Sequence, residues 1–270
     1  MSRTQLREAI SIVCTGMQSS ERKACQFIGM ARSVFRHKSR IADIELREKI
    51  RELAQKHRRW GYRQIARKLR KELVINVKRV YRLYTEMGLK YRTKQRKKHL
   101  FLPRTPLVVP QKPGLRWSMD FMCDALANRR RFRIFNIIDD CSREAVAQFV
   151  SFSITAKRVV EVLERLASSR GLPEQIVIDN GCEFTSNAFR SWAARNNVAL
   201  HFIDKGKPTQ NAFIESFNGK FRNECLNEHW FESIEEARIE TEKYRNIYNQ
   251  ERPHSSLNGL TPHEYLRSVA

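Results

Sequence analysis

The order of strand-like and helical patterns after residue 115 is the feature that most constrains the fold. Three runs rich in β-branched and aromatic residues come first, at 117–123, 132–138 and 145–152. A helical stretch, a short apolar strand, a helix, another strand and two more helices follow, at 155–169, 175–179, about 187–196, 198–203, about 209–225 and 232–249. This order predicts an α/β domain over residues 116–270, in which helices flank a mixed sheet.

Three acidic residues lie in this region, each in a setting that suits metal chemistry. Asp120 lies in a strand-like run, Asp179 ends an apolar run just before a turn signal, and Glu215 lies in a segment with helical periodicity. Carboxylates from two strands and one helix can converge on a hard cation such as Mg²⁺ or Mn²⁺. Two such ions, about 3.5–4 Å apart, assist phosphoryl transfer. The pattern therefore predicts a catalytic, two-ion metal site of Asp120, Asp179 and Glu215.

The helix that carries Glu215 is amphipathic. Its polar face combines Glu215 with Asn211, Asn218 and Arg222, and its apolar face holds Ile214, Phe217 and Phe221. A rigid, well-packed helix suits a metal ligand. Asn211, Lys220 and Arg222 are predicted to contact the phosphates on which such a metal site would act, and for Arg222 a salt bridge to a neighbouring helix is an equal alternative.

Other acids near these three are weaker candidates for metal binding. Asp139 and Asp140 end the second strand-like run, and Asp124 follows Asp120 by four residues. Glu183 is close to Asp179 in sequence, and we expect it to support the site rather than bind metal.

The net charge of +22 lies entirely in residues 1–112, because residues 113–270 hold equal numbers of basic and acidic side chains. Such a charge distribution predicts a polyanionic partner, and double-stranded DNA is the simplest one. A solvated basic surface is the alternative.

Two helical units precede the sheet. Residues 1–40 form a small unit that resembles a helix-turn-helix, although any three-helix unit would share its pattern. Residues 42–90 have stronger signals, with Asn76 as N-cap and Gly88 as C-cap of a helix from Val77 to Met87. Lys78, Arg79 and Arg82 on that helix are predicted to contact DNA, unless they form a solvated basic face.

Residues 91–115 are predicted to be a basic, proline-rich linker. Lys94, Arg96, Lys97 and Lys98 would lie along DNA phosphates and add affinity without reading sequence.

The remaining composition argues against other classes of protein. Six cysteines are present without a C-x-x-C pair, so a structural zinc site is not predicted. No signal peptide is visible, and no apolar run approaches the roughly 20 residues of a membrane span. A reducing cytoplasm is the expected location.

Three blocks of the sequence, 117–121, 179–184 and 208–218, resemble those of a DDE transposase/integrase core. The similarity is greatest to the second-frame (OrfB) product of the bacterial insertion-sequence-three family, and it extends over nearly the whole chain. Segments 60–62 and 77–81 resemble the helix-turn-helix before that core, and 248–254 with 259–265 resemble its C-terminal signature.

The resemblance implies a ribonuclease H-like fold and transposition. Asp120 and Asp179 would hold one cation, and Asp120 and Glu215 the second. A water would cut the DNA at the ends of the insertion sequence, and the 3′-hydroxyl so released would join another DNA site. Such proteins act as multimers on paired ends within the bacterial cytoplasm, associated with the nucleoid when bound to DNA. They are often fused to an upstream-frame (OrfA) protein.

Two alternatives remain at the sequence level. The chain could be a DNA-binding regulator with a decayed catalytic core, or a nuclease of the same fold that cuts RNA or branched DNA. The presence of all three acids argues against the first, and the basic helical units favour DNA strand transfer over the second.

Overall fold

The computed structural model describes residues 3–36, 43–90, 108–204 and 208–269. The chain divides into two compact units, residues 1–52 and 53–270. Lys94, Arg96, Lys97 and Lys98 of the predicted linker lie outside the described residues.

The first unit contains the helices α1 (Arg3–Gly16), α2 (Glu21–Ile28) and α3 (Arg32–Arg36). Ser20 caps α2 by accepting a hydrogen bond from the Lys23 amide, and Gly29 ends it in the left-handed conformation. Ile10, Ala24, Cys25 and Met30 form its core. Phe27 is 85% exposed, because Ala24 and Cys25 are the inward residues of this short helix.

The predicted helix-turn-helix contains α4 (Asp43–Lys56), α5 (Tyr62–Leu69) and α6 (Val77–Glu86). The side chain of Asn76 caps α6 by accepting a hydrogen bond from the Lys78 amide at 2.8 Å. Gly88 follows α6 with a φ of 67°, the left-handed conformation expected after a helix end. Val80, Leu83 and Tyr84 are the buried side of α6, so its basic residues face outward.

Five strands form the predicted mixed sheet. β1 (Arg116–Ala125), β2 (Arg131–Asp139) and β3 (Ala145–Ser151) pair antiparallel, whereas β4 (Gln175–Ile178) runs parallel to β1 and β5 (Ala199–Phe202) parallel to β4. The order across the sheet is β3-β2-β1-β4-β5. The expected ribonuclease H-like α/β architecture is confirmed.

Helices cover both faces of the sheet, and the alternation of side chains along β2 creates two cores. Phe135 and Ile137 pack with α7 (Ala156–Arg170) and α9 (Asn187–Arg195). Ile134 and Ile138 pack on the opposite face with α10 (Ala212–Glu224) and α11 (Ile234–Gln250). In this naming, α8 (Cys182–Thr185) follows β4 and α12 (Pro262–Val269) ends the described chain, and neither was predicted. Among the described residues, no helix is both long and apolar enough to cross a membrane.

Candidate active site

The register of β1 and β4 brings two of the predicted acids to one level of the sheet. Ser118 pairs with Val177, so two residues further on Asp179, which follows the end of β4, is level with Asp120. Their neighbours Met119 and Ile178 point into the α7–α9 core. Because strand side chains alternate, Asp120 and Asp179 face α10, where Glu215 lies in the first turn.

Asp120 is half-buried. Burial is the main reason that its pKa is raised from 3.8 to about 6, and the negative charges of Asp179 and Glu215 raise it further. Two hydrogen bonds oppose this shift: Oδ1 accepts from the Phe121 amide at 2.8 Å, and Oδ2 accepts from Asn218 Nδ2 at 2.7 Å. Desolvation also raises the pKa of Glu215. Asp120 therefore carries its charge where water is partly excluded, whereas Glu215 is exposed.

Asp179 depends on a glycine two residues later. Its Oδ1 accepts a hydrogen bond from the Gly181 amide at 3.0 Å. A Cβ at position 181 would lie only 3.0 Å from that oxygen and 3.5 Å from Glu183 Oε2. Gly181 thus allows the backbone to approach the carboxylate closely.

A row of three amides supports Asp120 from the sheet. Asn218 Oδ1 accepts from Asn136 Nδ2 at 2.8 Å, and Asn136 Oδ1 accepts from Gln148 Nε2 at 2.9 Å. Asn136 is fully buried in β2, the strand between the other two. It pairs with Asp120 of β1 on one side and with Gln148 of β3 on the other. The row fixes the orientation of the Asn218 amide, so its N–H points at Asp120.

The residues Asn136 and Gln148 carried no role in the sequence analysis. A lone asparagine between Phe135 and Ile137 in an apolar strand was the available signal. Its partners depend on strand register and on the placement of α10, which local periodicity does not give.

The donor set suits a hard cation. In the part of the chain that the structure describes, Asp120, Asp179 and Glu215 form no salt bridge with lysine or arginine, and their oxygens are the ligand type that Mg²⁺ and Mn²⁺ prefer. Within the same residues, no three His, Cys, Asp or Glu side chains are arranged closely enough to hold a metal ion. Asp179 and Glu215 therefore act on Asp120 through their charge, but the three carboxylates do not form a closed metal cage.

The other nearby acids are already bound by the protein. Asp140 pairs with Arg116 at 2.6 Å and accepts from Ser118 at 2.6 Å. Asp139 accepts hydrogen bonds from backbone amides before β1 and in the turn after β2. The other two candidates pair with arginines, Asp124 with Arg222 and Glu183 with Arg133.

The predicted DNA contacts lie in different surroundings. Lys78 and Arg82 are exposed on α6 and Arg79 is half-buried there. Asn211 is buried, and its amide donates to the Met119 carbonyl at 3.4 Å. Arg222 contacts Asp124 at 2.9 Å and the Cys123 carbonyl at 2.5 Å, and Lys220 contacts Ser216 Oγ at 3.0 Å. All these DNA contacts stay predictions.

Similarity to known proteins agrees with the fold. The model of the "Integrase core domain" family matches residues 110–208, a second model of that description matches 196–262, and an "HTH-like domain" model matches 41–99. A virus protein in the cryo-EM structure of a simian T-cell lymphotropic virus intasome is 14% identical, with a TM-score of 0.53 over 71% of this chain and 67% of its own. The fold and the matching family models together define a protein with an integrase-type core, a class that acts on DNA.

Curated relatives identify the family. An uncharacterized 31.7 kDa protein of insertion element IS407 from Burkholderia multivorans is 43% identical over 96% of this chain and 92% of its own length. An uncharacterized protein of insertion element IS476 from Xanthomonas euvesicatoria is 44% identical over 96% of this chain and 76% of its own. The putative transposase InsK of IS150 from Escherichia coli is 24% identical over 82% of each chain. The chain belongs to the insertion-sequence-three family of transposases, so its function is transposition, the integration of DNA by polynucleotidyl transfer.

Proposed function

We propose that this transposase cuts DNA at the ends of an insertion sequence and joins the released ends by a metal-dependent DDE mechanism. Asp120, Asp179 and Glu215 are the catalytic residues. The observation that carries the proposal is that Asp120 and Asp179 lie at one level of the sheet and face the helix of Glu215, and that the pKa of Asp120 is raised to about 6, mainly by burial and further by the other two acids. Asp140, Glu144 and Glu224, by contrast, have arginine partners. Uncompensated negative charge of this kind is what a divalent cation relieves.

The residues divide the work as follows. Asp120 and Asp179 would hold one Mg²⁺ or Mn²⁺ ion, and Asp120 and Glu215 the second. Bound ions supply activation of the attacking oxygen and stabilisation of the leaving oxygen. Asn218 and the Phe121 amide keep the Asp120 carboxylate in one orientation, and Gly181 does the same for Asp179. The nucleophiles are water and then a DNA 3′-hydroxyl, so no protein nucleophile is needed.

DNA recognition would fall to the basic N-terminal part. We propose that α6 lies in the major groove, with Lys78, Arg79 and Arg82 at the bases and phosphates of the terminal inverted repeats. The basic segment with Lys94, Arg96, Lys97 and Lys98 would follow the phosphate backbone. The active form would be a homo-multimer on paired ends, with an upstream-frame protein as a possible fusion partner.

The test compares joined DNA ends in cells. A marked element is supplied with the wild-type transposase or with a variant, and excised circles are detected by PCR across the joined ends. Glu215→Gln is expected to reduce circles to background, because it removes one charged ligand and little else. Glu235→Gln is the matched control, since Glu235 is an exposed residue of α11 that pairs with Arg238. It should give circles at the wild-type level.

Two results would contradict the proposal. Circles at wild-type level from Glu215→Gln would exclude Glu215 from the metal site. No circles from the wild type, combined with normal binding of the element ends in a gel-shift assay, would instead indicate a DNA-binding regulator without catalytic activity.

A further inference from the structure

A second site lies in the unit that holds the sheet, away from the three acids. It is a cleft of about 670 Å³ between α5 and the segment that follows α11. Arg63, Gln64 and Arg67 line it from α5, Lys220 lines it from α10, and Arg252 and His254 line it from the C-terminal side.

Three cations in this cleft lack an acidic partner. Among the described residues, Arg63, Arg67 and Lys220 form no ion pair, and Lys220 contacts only a neutral hydroxyl. Arg252 differs, since it forms a two-point ion pair with Glu224 at 2.5 and 2.8 Å. Burial, together with the charges of Arg252 and Arg143, lowers the pKa of Lys220 to about 8. The cleft is thus a region of uncompensated positive charge.

The start of α5 adds hydrogen-bond donors. Its N-cap is Gly61, which has no side chain that could cap the first turn. The first amides of a helix have no acceptor within the helix and favour anions. An anion in the cleft would therefore meet both backbone N–H groups and cationic side chains, the combination found in phosphate sites.

A buried polar atom at the cleft also lacks a partner. His254 is 3% exposed, its ring packs edge-on against Tyr248, and its Nε2 atom makes no hydrogen bond within the described residues. Burial is the main cause of its low pKa, about 2, with the charges of Arg252 and Lys220 contributing. The neutral ring also has a hydrogen bond with the Tyr248 backbone, so Nε2 is left as an acceptor for a donor such as a water in the cleft.

Ion pairs hold the two sides of the cleft together. Lys56 Nζ contacts Glu251 at 2.7 Å, and Lys71 pairs with Glu264. The stem of Arg67 packs over Gly259, where a Cβ would lie 3.6 Å from Arg67 Cδ. These contacts join the helix-turn-helix side of the cleft to the chain that follows α11.

We propose that this cleft binds one phosphodiester group of the DNA held by α6, so that the helix-turn-helix and the catalytic core contact the same phosphate. The inference rests on the proposed action on DNA, but it does not depend on metal chemistry. The first helix of a helix-turn-helix normally crosses the DNA backbone while the second enters the groove. That geometry places the start of α5 at a phosphate.

The shared phosphate would position DNA relative to the active site. Lys220 and Glu215 lie on the same helix, five residues and so about 7.5 Å apart along its axis. Because α10 is packed into the core through Phe217 and Phe221, this separation is rigid. A phosphate bound at Lys220 would fix where the strand runs as it leaves the helix-turn-helix.

The test uses the salt dependence of DNA binding by the whole protein. Affinity for a short duplex is measured over a range of salt concentrations for Lys220→Gln, Arg63→Gln and the double variant. Losing one phosphate contact should reduce the slope of log K against log salt by about 0.9. Each single variant should show that loss, and the double variant should lose no more than either, because both side chains contact the same phosphate. Lys157→Gln is the matched control, since Lys157 is exposed on α7 across the sheet.

A second measurement locates the contact on the DNA. Duplexes with one uncharged methylphosphonate at successive positions are bound to the wild type and to Lys220→Gln. At one position, the methylphosphonate should weaken DNA binding by the wild type and leave binding by Lys220→Gln unchanged. The scan with the wild type alone remains a test if Lys220→Gln folds poorly. The proposal requires that one phosphate beside the α6 binding site be sensitive to the substitution, and a scan with no such position would contradict it.

The outcomes separate this site from the proposed reaction. Unchanged slopes in both single variants, or an equal loss in Lys157→Gln, would overturn the inference even if strand joining proceeds normally. A cleft that binds only inorganic phosphate, shown by a Lys220-dependent rise in melting temperature with phosphate and no change in DNA slope, would also overturn it. Loss of slope in a protein that joins no DNA would support the site and count against the proposed function alone.

Discussion

Two groups of carboxylates in the core differ in how their charge is balanced. Asp140, Glu144 and Glu224 contact arginines at 2.6, 2.6 and 2.5 Å. Asp120, Asp179 and Glu215 have no such partner among the described residues, and Asp120 accepts hydrogen bonds only from neutral groups. The first group satisfies its charge within the fold. The charge of the second group is not balanced by the described residues and can be balanced by a bound cation. This difference distinguishes a structural carboxylate from a functional one.

The largest effect on stability is expected when an ion pair of the first group is broken. Glu224→Gln leaves Arg252 charged, with a side chain only 8% exposed, and should lower the free energy of unfolding by about 3–5 kcal/mol. Asp120→Asn is the same kind of change in the second group, and it should leave stability at pH 7.5 equal or higher because it removes a desolvated charge. Urea denaturation of both variants measures the difference. Equal losses would remove the distinction between the two groups.

The next effect concerns pH. Because the pKa of Asp120 is about 6 in the folded protein and 3.8 ordinarily, its protonated form is favoured by folding. In metal-free buffer the stability of the wild type relative to Asp120→Asn should therefore fall as pH rises from about 4 to 6, by about 2–3 kcal/mol. Thermal or urea unfolding at several pH values, with EDTA present, checks this. A flat difference across that range would mean that Asp120 is better solvated than its position indicates.

The smallest effect is expected from a change in the amide row that orients Asp120. Asn218→Ala removes the hydrogen bond that orients Asp120, and such supporting residues typically contribute about 10- to 100-fold in metal affinity. The Mg²⁺ concentration for half-maximal DNA joining should rise by that factor, and saturating Mg²⁺ should restore much of the rate. Asn223→Ala, at an exposed position of the same helix, serves as control. An unchanged Mg²⁺ requirement would mean that Asn218 contributes to packing and does not affect metal binding by Asp120.

Local patterns predicted much of this molecule. Alternation and helical periodicity predicted the order of strands and helices, and side-chain chemistry predicted the cap at Asn76. The pairing of Arg252 with Glu224 and of Asn136 with Asn218 was not predicted, because those partners are distant in sequence and meet only through packing. The helix α8 is a single turn, too short to show a period.

The amide row from Gln148 to Asp120 has a direction. Gln148 donates from its nitrogen, and Asn136 and Asn218 each accept on the oxygen and donate from the nitrogen, so turning any one of them around would place two donors or two acceptors face to face. The orientation of the Asp120 carboxylate at the end of the row therefore depends on the alignment of β1, β2 and β3. A slip of one residue between β1, β2 and β3 would turn these side chains to the other face, so the sheet register and the readiness of the site are set together.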